Sequence, residues 1–226
     1  MASFELLTAN QHQHLRLIVD CDTPHFTPIV VSEFSEAASS CPIMLAKNPE
    51  TGDFFTGVIL SMKPGEPALK SLEERGGFNP LSLQCRGFYI SDQNIVIDKD
   101  HPRFSTTAGE PLFTATSQPA DGLRKIQNAL GRLHAGQEKT RAFTQAMMDA
   151  RLIEPVDLTF DFDKGERLFL KNLYTISLDS LGQLDDAQVV DFFRSGYLQL
   201  AYLIAGSLKQ FNSLAYLRNQ WLLTSS

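Results

Sequence analysis

The segment from Asp98 to Phe113, which reads DKDHPRFSTTAGEPLF, constrains the fold more than any other stretch of the chain. Its two prolines and its glycine fix bends in the backbone, and its acidic, basic and hydroxyl side chains are typical of turns and caps. The residues before it have the pattern of short strands, and most residues after it have the pattern of long helices. We therefore interpret this segment as a fixed connection between a strand-rich part and a helix-rich part.

The strand-rich part, residues 26–98, predicts four or five short strands. The apolar residues at 26–31 are accompanied by prolines, which favours an edge strand because proline donates no hydrogen bond to a sheet. Residues 43–62 predict a hairpin around the turn sequence NPETGD, and residues 83–98 predict a second hairpin around SDQN. Between the hairpins, residues 68–75 are either a helical turn or a loop. The short connections favour antiparallel pairing.

Alternating hydrophobicity assigns faces to two of the strands. In the second hairpin, Ile95 and Ile97 lie on one face and Val96 lies on the other. In the stretch VDLTFDF, the apolar side chains share the face that we expect to be buried: Val156, Leu158, Phe160 and Phe162. The turn DKGE and a return strand at 167–170 follow, and residues 173–178 predict one more strand.

Two long helical segments, 121–151 and 187–221, dominate the helix-rich part. In the first segment, apolar residues recur at helical spacing, which predicts a core-facing stripe: Ile126, Leu130, Leu133, Phe143 and Met147. In the second segment, Gly196 predicts a break. Residues 197–208 are apolar on every side, which predicts a helix buried against a sheet, with a partner-binding face as the alternative.

These elements predict an α+β fold, in which a mainly antiparallel sheet packs against the two long helical segments. We expect the sheet to take its strands from residues 26–98 and from residues 156–178. We also expect one domain spanning residues 1–226, strand-rich at 26–98 and helix-rich at 119–226, because the N-terminal strands alone would make a thin core.

Composition and charge exclude several classes of protein. The formal net charge of -6 argues against nonspecific binding of nucleic acid through its phosphates. Three widely spaced cysteines without a CxxC pair indicate neither a disulfide framework nor a zinc site, and predict buried thiols in a reducing compartment. The N-terminus lacks the pattern of a secretory signal, and the apolar run YLQLAYLIAG is shorter than the ~20 residues of a membrane span. We expect a cytoplasmic protein without a membrane span.

Two groups of potential metal ligands give weak signals. His12 and His14 are two residues apart and would share one face of a strand, but no third ligand is near them in the sequence, and we prefer to interpret them as part of a solvated strand or loop. Asp161, Asp163 and Glu166 lack the order of a calcium-binding loop. We expect no metal and no cofactor.

The Asp98–Phe113 segment also carries the densest set of polar side chains, which is our candidate ligand-binding site: Asp98, Asp100, His101, Arg103, Ser105 and Glu110. Carboxylates beside a histidine and an arginine shift one another's pKa values and can perform acid–base chemistry. The same groups can instead lock a loop, because Asp and Ser cap turns and Arg pairs with carboxylates. We favour the structural interpretation and assign no catalytic residue, since the chain has no phosphate-binding loop, GxSxG or HExxH motif.

A set of short patterns along the chain carries a family resemblance. The pattern SxxxGEPLF, formed by Ser105 and Gly109–Phe113, resembles the central motif of the bacterial SapC family. Further patterns that resemble the family are His14–Leu17, Glu33-Phe34 with Pro42-Ile43, the lead-in from Asp98 to Pro102, Thr140–Phe143, Leu152–Pro155, Leu173–Ile176, and Ser195–Leu198 with Tyr202 and Ser207-Leu208. The family's glycine before Leu173 is Asn172 here, and the patterns at 65–69 and 86–89 also depart from the family.

The resemblance implies a modest functional expectation. The SapC family takes its name from genes associated with surface-layer expression, and its members have no established activity. Members are often encoded near outer-membrane TonB-dependent receptors and flavin-dependent halogenases, which implies an accessory role linked to the cell surface or to outer-membrane nutrient uptake. An N-terminus without a secretory pattern fits poorly with a structural subunit of a surface layer.

We therefore expect a non-catalytic accessory or interaction protein with a protein or peptide partner, a hypothesis motivated by the apolar and aromatic residues near the C-terminus. The alternative is an enzyme or a small-ligand-binding protein with its site at Asp98–Glu110. That alternative predicts a pocket toward which His101, Arg103 and Glu110 all point. The sequence predicts no oligomeric state.

Overall fold

The structure, a computed structural model, describes residues 3–18, 24–66, 78–163 and 165–224. The helical turn or loop considered at 68–75 and the predicted burial of Cys21 lie outside the described residues. The described residues form an α+β fold of helices and antiparallel strands, which confirms the predicted fold class.

Short strands occur along most of the described chain. They are β1 (Phe4–Leu6), β2 (Arg16–Leu17), β3 (Phe26–Pro28), β4 (Ile43–Lys47), β5 (Phe54–Ile59), β6 (Phe88–Ser91), β7 (Asn94–Asp98), β8 (Phe104–Ser105), β9 (Glu110–Pro111), β10 (Ile153–Asp161) and β11 (Arg167–Ile176). The pairings between these strands are antiparallel.

The helices before residue 121 are short, and most of those after it are longer. They are α1 (Ala9–His12), α2 (Phe34–Ala38), α3 (Leu81–Gln84), α4 (Asp121–Asp149), α5 (Leu178–Leu181), α6 (Asp186–Arg194), α7 (Tyr197–Ser207) and α8 (Gln210–Thr224), with a 3-10 turn at Val31–Glu33. Among the residues that the structure describes, none of the helices combines the length and the apolar character that crossing a membrane requires.

The chain divides into two compact units. Unit 1 consists of Met1–Thr23 and Leu81–Ala135, and unit 2 consists of Pro24–Pro80 and Gly136–Ser226. The chain passes between the units three times, and α4 contributes residues to both. That the whole chain acts as a single domain stays a prediction.

Unit 1 contains two small sheets. One has the strand order β1-β7-β6, and the other has the order β8-β2-β9. In the first sheet, Ile97 is buried and Val96, on the opposite face, is only half-buried, as the alternating pattern predicts. The second sheet consists of two-residue strands that hold the Asp98–Phe113 segment against Arg16 and Leu17.

The second hairpin differs from its prediction in two ways. Strand β6 begins at Phe88 instead of Leu83, because α3 forms a helical turn and Gly87 adopts the left-handed region with φ +83°. The hairpin also belongs to the sheet of unit 1, since β7 pairs with β1 and places Phe4 opposite Asp98. The third strand of that sheet is β1, near the N-terminus, where we predicted no strand.

Unit 2 is built on a five-stranded sheet with the order β10-β11-β4-β5-β3. Strand β3, which contains Pro28, lies at one edge, as the prolines predicted. Strands β4 and β5 form the predicted hairpin. Strand β11 joins β10 to β4, which confirms that the later strands extend the sheet begun by residues 26–59.

Strand β11 is one continuous strand, so the prediction of two strands at 167–170 and 173–178 is wrong. Asn172 lies between them with φ +62°, in the left-handed region, and the pairing of β10 with β11 shifts register between Val156 and Leu158. This irregularity absorbs one residue, which lets the same strand continue on both sides of it.

Of the two long helical segments that the sequence predicted, one is a single helix and the other is divided into three. Helix α4 confirms the segment predicted at 121–151, whereas the segment at 187–221 consists of α6, α7 and α8. Gly196 makes the predicted break with φ +75°. A further break follows Ser207, where Leu208 and Phe211 make i to i−3 backbone hydrogen bonds.

Helix α7 is buried on one side and exposed on the other. Ala201, Ile204 and Ser207 are buried, and the Ser207 hydroxyl accepts a hydrogen bond of 2.8 Å from the backbone N–H of Ile43. Tyr202 on the opposite side is 58% exposed. The helix therefore packs on the sheet, as predicted, without being buried all round.

Aromatic contacts connect the helices of unit 2. Phe143 lies edge-on to Phe34 and to Tyr197, with ring centroids 5.9 Å and 5.6 Å apart. Tyr197 in turn contacts Phe192 of α6 at 5.8 Å. Each such pair contributes about 0.5–1.5 kcal/mol beyond the burial of its surface. Because Phe192 is the buried residue of α6, this contact anchors an otherwise exposed helix.

Candidate functional site

The Asp98–Phe113 segment lies wholly in unit 1, where its side chains bind backbone groups. Asp98 is the last residue of β7, and its Oδ1 accepts a hydrogen bond of 3.1 Å from the N–H of Ser3. This contact continues the pairing of β1 with β7 beyond the strand ends. Asp100, two residues later, is exposed.

Arg103 is a buried structural anchor. Its Nη1 donates hydrogen bonds to the carbonyl oxygens of Gln84 at 2.8 Å and of Arg86 at 2.9 Å. These carbonyls belong to the turn that leads from α3 into β6. With 7% of its surface exposed, Arg103 stabilises that turn and presents little of itself to solvent.

His101 packs beside this turn. A Cβ on Gly87 would lie 3.2 Å from Cγ of His101, so the imidazole rests against the glycine backbone. Nδ1 accepts a hydrogen bond of 3.2 Å from the N–H of Arg103. Burial, and then the charges of Arg86 and Arg103, lower the pKa of His101, while Asp98 opposes that shift. Burial and the two arginines thus favour the neutral form of the imidazole.

Ser105 closes a tight turn. Its Oγ accepts hydrogen bonds from the N–H groups of Thr107 at 3.1 Å and Ala108 at 3.0 Å. Gly109 follows with φ +96°, and a Cβ there would lie 2.3 Å from the carbonyl oxygen of Leu17. Only glycine fits at this position, which accounts for the serine and the glycine of the SxxxGEPLF pattern.

The candidate ligand-binding residues do not all converge on one point. His101 and Arg103 lie together beside Gly87, whereas Glu110 is exposed and its carboxylate lies near Gly122 at the start of α4. Ser105 is occupied by its turn. This arrangement supports the locking role that the sequence favoured, and ligand binding by these six residues stays a prediction.

Unit 1 exposes a second feature, which the sequence did not indicate. In the β1-β7-β6 sheet, the register places Leu6, Val96 and Tyr89 opposite one another on one face, and Phe4 follows on the same face of β1. We call these four residues the exposed sheet face. Phe4 is 58% exposed, Leu6 48% and Tyr89 43%.

The exposed sheet face is ordered by its own contacts. The rings of Phe4 and Tyr89 meet edge-on, with centroids 5.2 Å apart. Phe4 and Tyr89 belong to the two edge strands, so their rings meet across the central strand, which carries the half-buried Val96. The face is thus a fixed apolar surface in which aromatic side chains are already positioned.

A charged residue, Asp98, lies beside the apolar residues of the exposed sheet face. Asp98 lies on this face opposite Phe4, Asp92 lies in the turn at the other end of the hairpin, and Asp100 follows Asp98. Lys99 forms an ion pair with Glu5, whose register position opposite Ile97 puts it on the other face. Asp98 therefore connects the family segment to this apolar surface.

The sequence missed this face because β1 was not predicted. The signal was present in the alternation of Phe4, Glu5 and Leu6, but three residues are too few for a periodic pattern to be decisive. The pairing partner of β1 begins ninety positions later in the chain, at Asn94.

A groove lies on the other side of the hairpin, within unit 1. It has a volume of about 530 Å³ and is lined mainly by apolar surface, including Ile90, Ile95, Leu130 and Gly131. The lining of the groove also includes two titratable residues, Asp92 and His134. None of the six candidate residues of the Asp98–Phe113 segment lines this groove.

Unit 2 contains a buried ion network that the sequence also missed. Arg218 of α8 donates to both carboxylate oxygens of Glu66, at 2.6–2.9 Å, and to Glu166 at 2.7 Å. Glu166 also pairs with Lys63. The guanidinium stacks 4.2 Å from the ring centroid of Phe162. Lys63 and Arg218 both lower the pKa of Glu166, with Lys63 the larger cause.

One sequence signal could have revealed this network. Phe211, Leu214 and Arg218 follow one another at helical spacing and are all buried, so an arginine occupies a core position of α8. A charge at such a position needs a partner. Nothing in the sequence, however, identifies Glu66 as that partner.

Most of the side chains that gave the weak metal signals contact protein groups. His12 is buried, and its ring contacts Glu5 at 3.4 Å and the carbonyl oxygen of Thr8 at 3.1 Å. The expectation that this histidine is solvated is therefore wrong, whereas His14 is exposed as expected. Asp161 pairs with Arg167. Within the described parts of the chain, no group of three or more potential ligands is placed to hold a metal ion.

Together, these features define an α+β protein with two small sheets in one unit, a five-stranded sheet in the other, and a loop segment locked by glycine, serine and arginine. The model of the SapC family matches residues 7–214 of the 226 residues. The chain therefore belongs to the SapC family. Comparisons with curated proteins and with solved structures find no significant match.

Proposed function

We propose that this member of the SapC family is a non-catalytic accessory protein that binds another protein through the exposed sheet face. The observation that carries the proposal is the exposure of Phe4, Leu6 and Tyr89, by 43–58%, on one side of a three-stranded sheet. Adjacent exposed apolar residues of this size are a mark of interaction surfaces. Covering them yields about 25 cal/mol for each Å² removed from water.

The composition of the surface supports a protein partner. Aromatic side chains are enriched at the centres of protein interfaces, where rigid rings bury a large area at a small entropic cost. The edge-on contact between Phe4 and Tyr89 restricts both rings before binding. A surface that is already ordered loses less entropy when a partner covers it.

The non-catalytic role is supported by the state of the polar side chains in the Asp98–Phe113 segment. Arg103 and Ser105 make their hydrogen bonds to backbone groups, and His101 packs against Gly87. An enzyme or a small-ligand-binding protein with its site at Asp98–Glu110, the alternative function, needs these groups to face a common cavity. It has less support than protein binding.

We also propose a cytoplasmic location and a link to a cell-surface or outer-membrane uptake system. The location is supported by the burial of Cys41 and Cys85, which fits thiols in a reducing compartment. The link to uptake is supported by the family resemblance alone. Fractionation of the native host with an antibody against the chain tests the location, and recovery outside the cytoplasm would contradict it.

The proposed function is tested with the variant Phe4→Thr/Leu6→Thr/Tyr89→Thr. Threonine keeps the strand propensity while it removes most of the apolar surface. A matched control is Phe169→Thr, which replaces a 54%-exposed aromatic residue on β11 of unit 2. Both proteins are first compared with the wild type by thermal melting, to establish that they fold.

Affinity capture at endogenous expression then compares the three proteins. We expect the wild type and Phe169→Thr to recover the same protein partner, and the triple variant to lose it. Recovery of no partner above background by the wild type would contradict the proposal. Retention of the partner by a folded triple variant would contradict it equally.

A further inference from the structure

We propose that an exposed stripe of helix α6 binds the same stripe of a second copy of this chain, with the two helices antiparallel. The stripe consists of Asp186, Val189, Val190, Phe193 and Arg194, and we call it the α6 stripe. It belongs to unit 2, so the inference does not rest on the exposed sheet face, which belongs to unit 1.

Helix α6 presents the α6 stripe away from the core. The helix contributes one residue, Phe192, to the buried interior, and its other residues are exposed. At 3.6 residues per turn, the five members of the stripe fall within an arc of about 140° of the helix surface. The centre of that arc lies about 130° from the direction of Phe192. The α6 stripe is therefore accessible to a partner.

The centre of the α6 stripe is apolar. Phe193 is 74% exposed, the largest value among the large hydrophobic residues that the structure describes, and Val189 and Val190 are 38% and 47% exposed. Val189 lies four positions before Phe193 and Val190 lies three positions before it, so both valines adjoin the phenylalanine on the helix surface. The three side chains thus form one continuous apolar patch.

Opposite charges lie at the two ends of the α6 stripe. Asp186 is in the first turn of the helix and Arg194 is in the last, about 12 Å apart at 1.5 Å per residue. The helix dipole favours this order of charges and leaves the hydrogen-bonding groups of both side chains available. Neither side chain forms an ion pair with any residue that the structure describes.

The other acidic residues of this region do not disturb the pattern. The carboxylate of Asp185 accepts a hydrogen bond from the N–H of Gln188 and caps the helix. Asp191 lies on the polar side of the helix, next to Gln188 and outside the arc of the α6 stripe. The charges of the stripe itself are therefore one carboxylate and one guanidinium.

This pattern is complementary to itself. A two-fold axis perpendicular to α6 makes the two helices antiparallel and places Asp186 of each copy beside Arg194 of the other. The apolar centres then cover one another between two ion pairs. A nucleic acid or an anionic membrane would instead meet the carboxylate of Asp186, and a parallel second copy would place like charges together. The pattern therefore selects an antiparallel second copy.

The length of the helix sets the strength of the contact. Nine residues of helix extend about 13 Å, and one face of that length buries less than the ~800 Å² per partner of a standard interface. We therefore expect a weak and reversible dimer, with a Kd on the order of 100 μM.

Sedimentation equilibrium of the full chain, from about 10 μM to about 1 mM, measures this association. We expect the wild type to pass from monomer to dimer, and Phe193→Ser to weaken the dimer at least about tenfold. The matched control is Tyr216→Ser, which replaces a 61%-exposed aromatic residue on α8 and should leave the Kd unchanged. A wild type that stays monomeric throughout would overturn the inference, and so would a folded Phe193→Ser variant with the wild-type Kd.

Charge exchange tests the antiparallel orientation. Asp186→Arg faces Arg194 of the other copy, and Arg194→Asp faces Asp186, so each variant alone should dimerise at least about fivefold more weakly than the wild type. An equimolar mixture of the two variants should form a heterodimer, because each end then joins an arginine to an aspartate. A mixture that associates no better than the separate variants would overturn the inference.

Folding of each variant is established first by thermal melting, because both charge reversals oppose the dipole of the helix. The variant Asp186→Asn/Arg194→Gln removes the two charges without reversing them. We expect it to weaken the dimer about three- to tenfold, the size of two exposed ion pairs. An unchanged Kd for this folded variant would also overturn the inference.

The outcomes separate this inference from the proposed function. We expect the Phe4→Thr/Leu6→Thr/Tyr89→Thr variant to dimerise as the wild type does. Loss of the dimer by that variant, with no loss by Phe193→Ser, would assign the contact to the exposed sheet face and refute the inference. A dimer that depends on Phe193, without capture of a cellular protein by the wild type, would support the inference and refute the proposed function.

Discussion

The guanidinium of Arg218 binds Glu66, 152 positions earlier in the chain, through three hydrogen bonds of 2.6–2.9 Å. Arg218 is 5% exposed, and the side chain of Glu66 is 11% exposed. The contact ties the loop after β5 to helix α8. A buried pair of this kind is costly to break, because the partner left behind keeps its charge without compensation.

Replacing Arg218 should therefore destabilise unit 2. We expect Arg218→Ala to lower the free energy of unfolding by about 3 kcal/mol, because it leaves Glu66 unpaired and exposes Phe162. Arg218→Lys should recover only part of the loss, because an ammonium group cannot bind a carboxylate side-on. Chemical denaturation measures both values, and a loss below about 1 kcal/mol for Arg218→Ala would show that the pair contributes little.

Acid should weaken the same network through Glu166. Lys63, and then Arg218, lower the pKa of Glu166 below its ordinary value of 4.5. The folded state thus holds this proton more weakly than the unfolded state, so the stabilisation is complete above pH 4.5 and is lost as the pH falls through the lower folded-state pKa. We expect Glu166→Gln to reduce the acid dependence of the unfolding free energy below pH 4.5. An unchanged dependence would contradict the assignment.

His101 gives a second pH effect, at higher pH. Its folded-state pKa lies below 6.5, chiefly because of burial, so the unfolded state binds the proton more readily. Stability contributed by the neutral ring is fully present above pH 6.5 and falls as the pH drops toward the folded-state pKa. Melting at about pH 7.5 and about pH 5.5 should show a smaller difference for His101→Gln than for the wild type. His14→Gln, at an exposed position, serves as the control and should behave as the wild type.

Two glycines of α4 should respond oppositely to alanine. A Cβ on Gly131 meets no atom within 4 Å, so Gly131→Ala should stabilise the helix by about 0.5–1 kcal/mol. A Cβ on Gly136 would lie 2.6 Å from Cγ2 of the buried Val30, so Gly136→Ala should destabilise unit 2 by about 1–3 kcal/mol. The two variants are controls for each other in one thermal-melting experiment, and effects of the same sign would contradict the described packing.

Asn172 tests the irregularity in β11. With φ +62°, this position favours glycine and tolerates asparagine, so the family's glycine and this chain's asparagine fit the same backbone. We expect Asn172→Ala to lower the free energy of unfolding by about 1 kcal/mol and Asn172→Gly to match or exceed the wild type. An Asn172→Ala variant as stable as the wild type would mean that the strand relaxes to an ordinary conformation.

The correct sequence predictions rested on local signals. The hairpin at 43–62, the long helix α4 and the break at Gly196 each follow from the spacing of apolar residues or from one turn residue. The interpretation of the Asp98–Phe113 segment as a locked loop rests on local signals too, its glycine, serine and arginine, and it stays a prediction. Such signals act within a few residues, where the backbone conformation is decided mainly by steric and hydrogen-bonding preferences.

The features that the sequence missed depend on distant pairs. The three-stranded sheet of unit 1 depends on the pairing of β1 with β7. The ion network depends on the hydrogen bonds between Arg218 and Glu66. Periodicity can mark a strand or a buried position, but it does not identify the distant partner, because strand pairing and burial are settled by the whole fold. The exposed sheet face is a consequence of the strand pairing, so it could not be assigned before the pairing was known.

The interleaving of the two units has a consequence for synthesis on the ribosome. Ala135 is the last residue of unit 1 to be translated. At that point β10 and β11 of unit 2 have not been synthesised. Strand β11 is the neighbour that β4 needs on its open side. All residues of unit 1 are thus synthesised before β11. Until β11 is synthesised, the edge of β4 in the β4–β5 hairpin has no neighbouring strand. A chaperone that protects such an edge would act on this protein between translation of β5 and translation of β11.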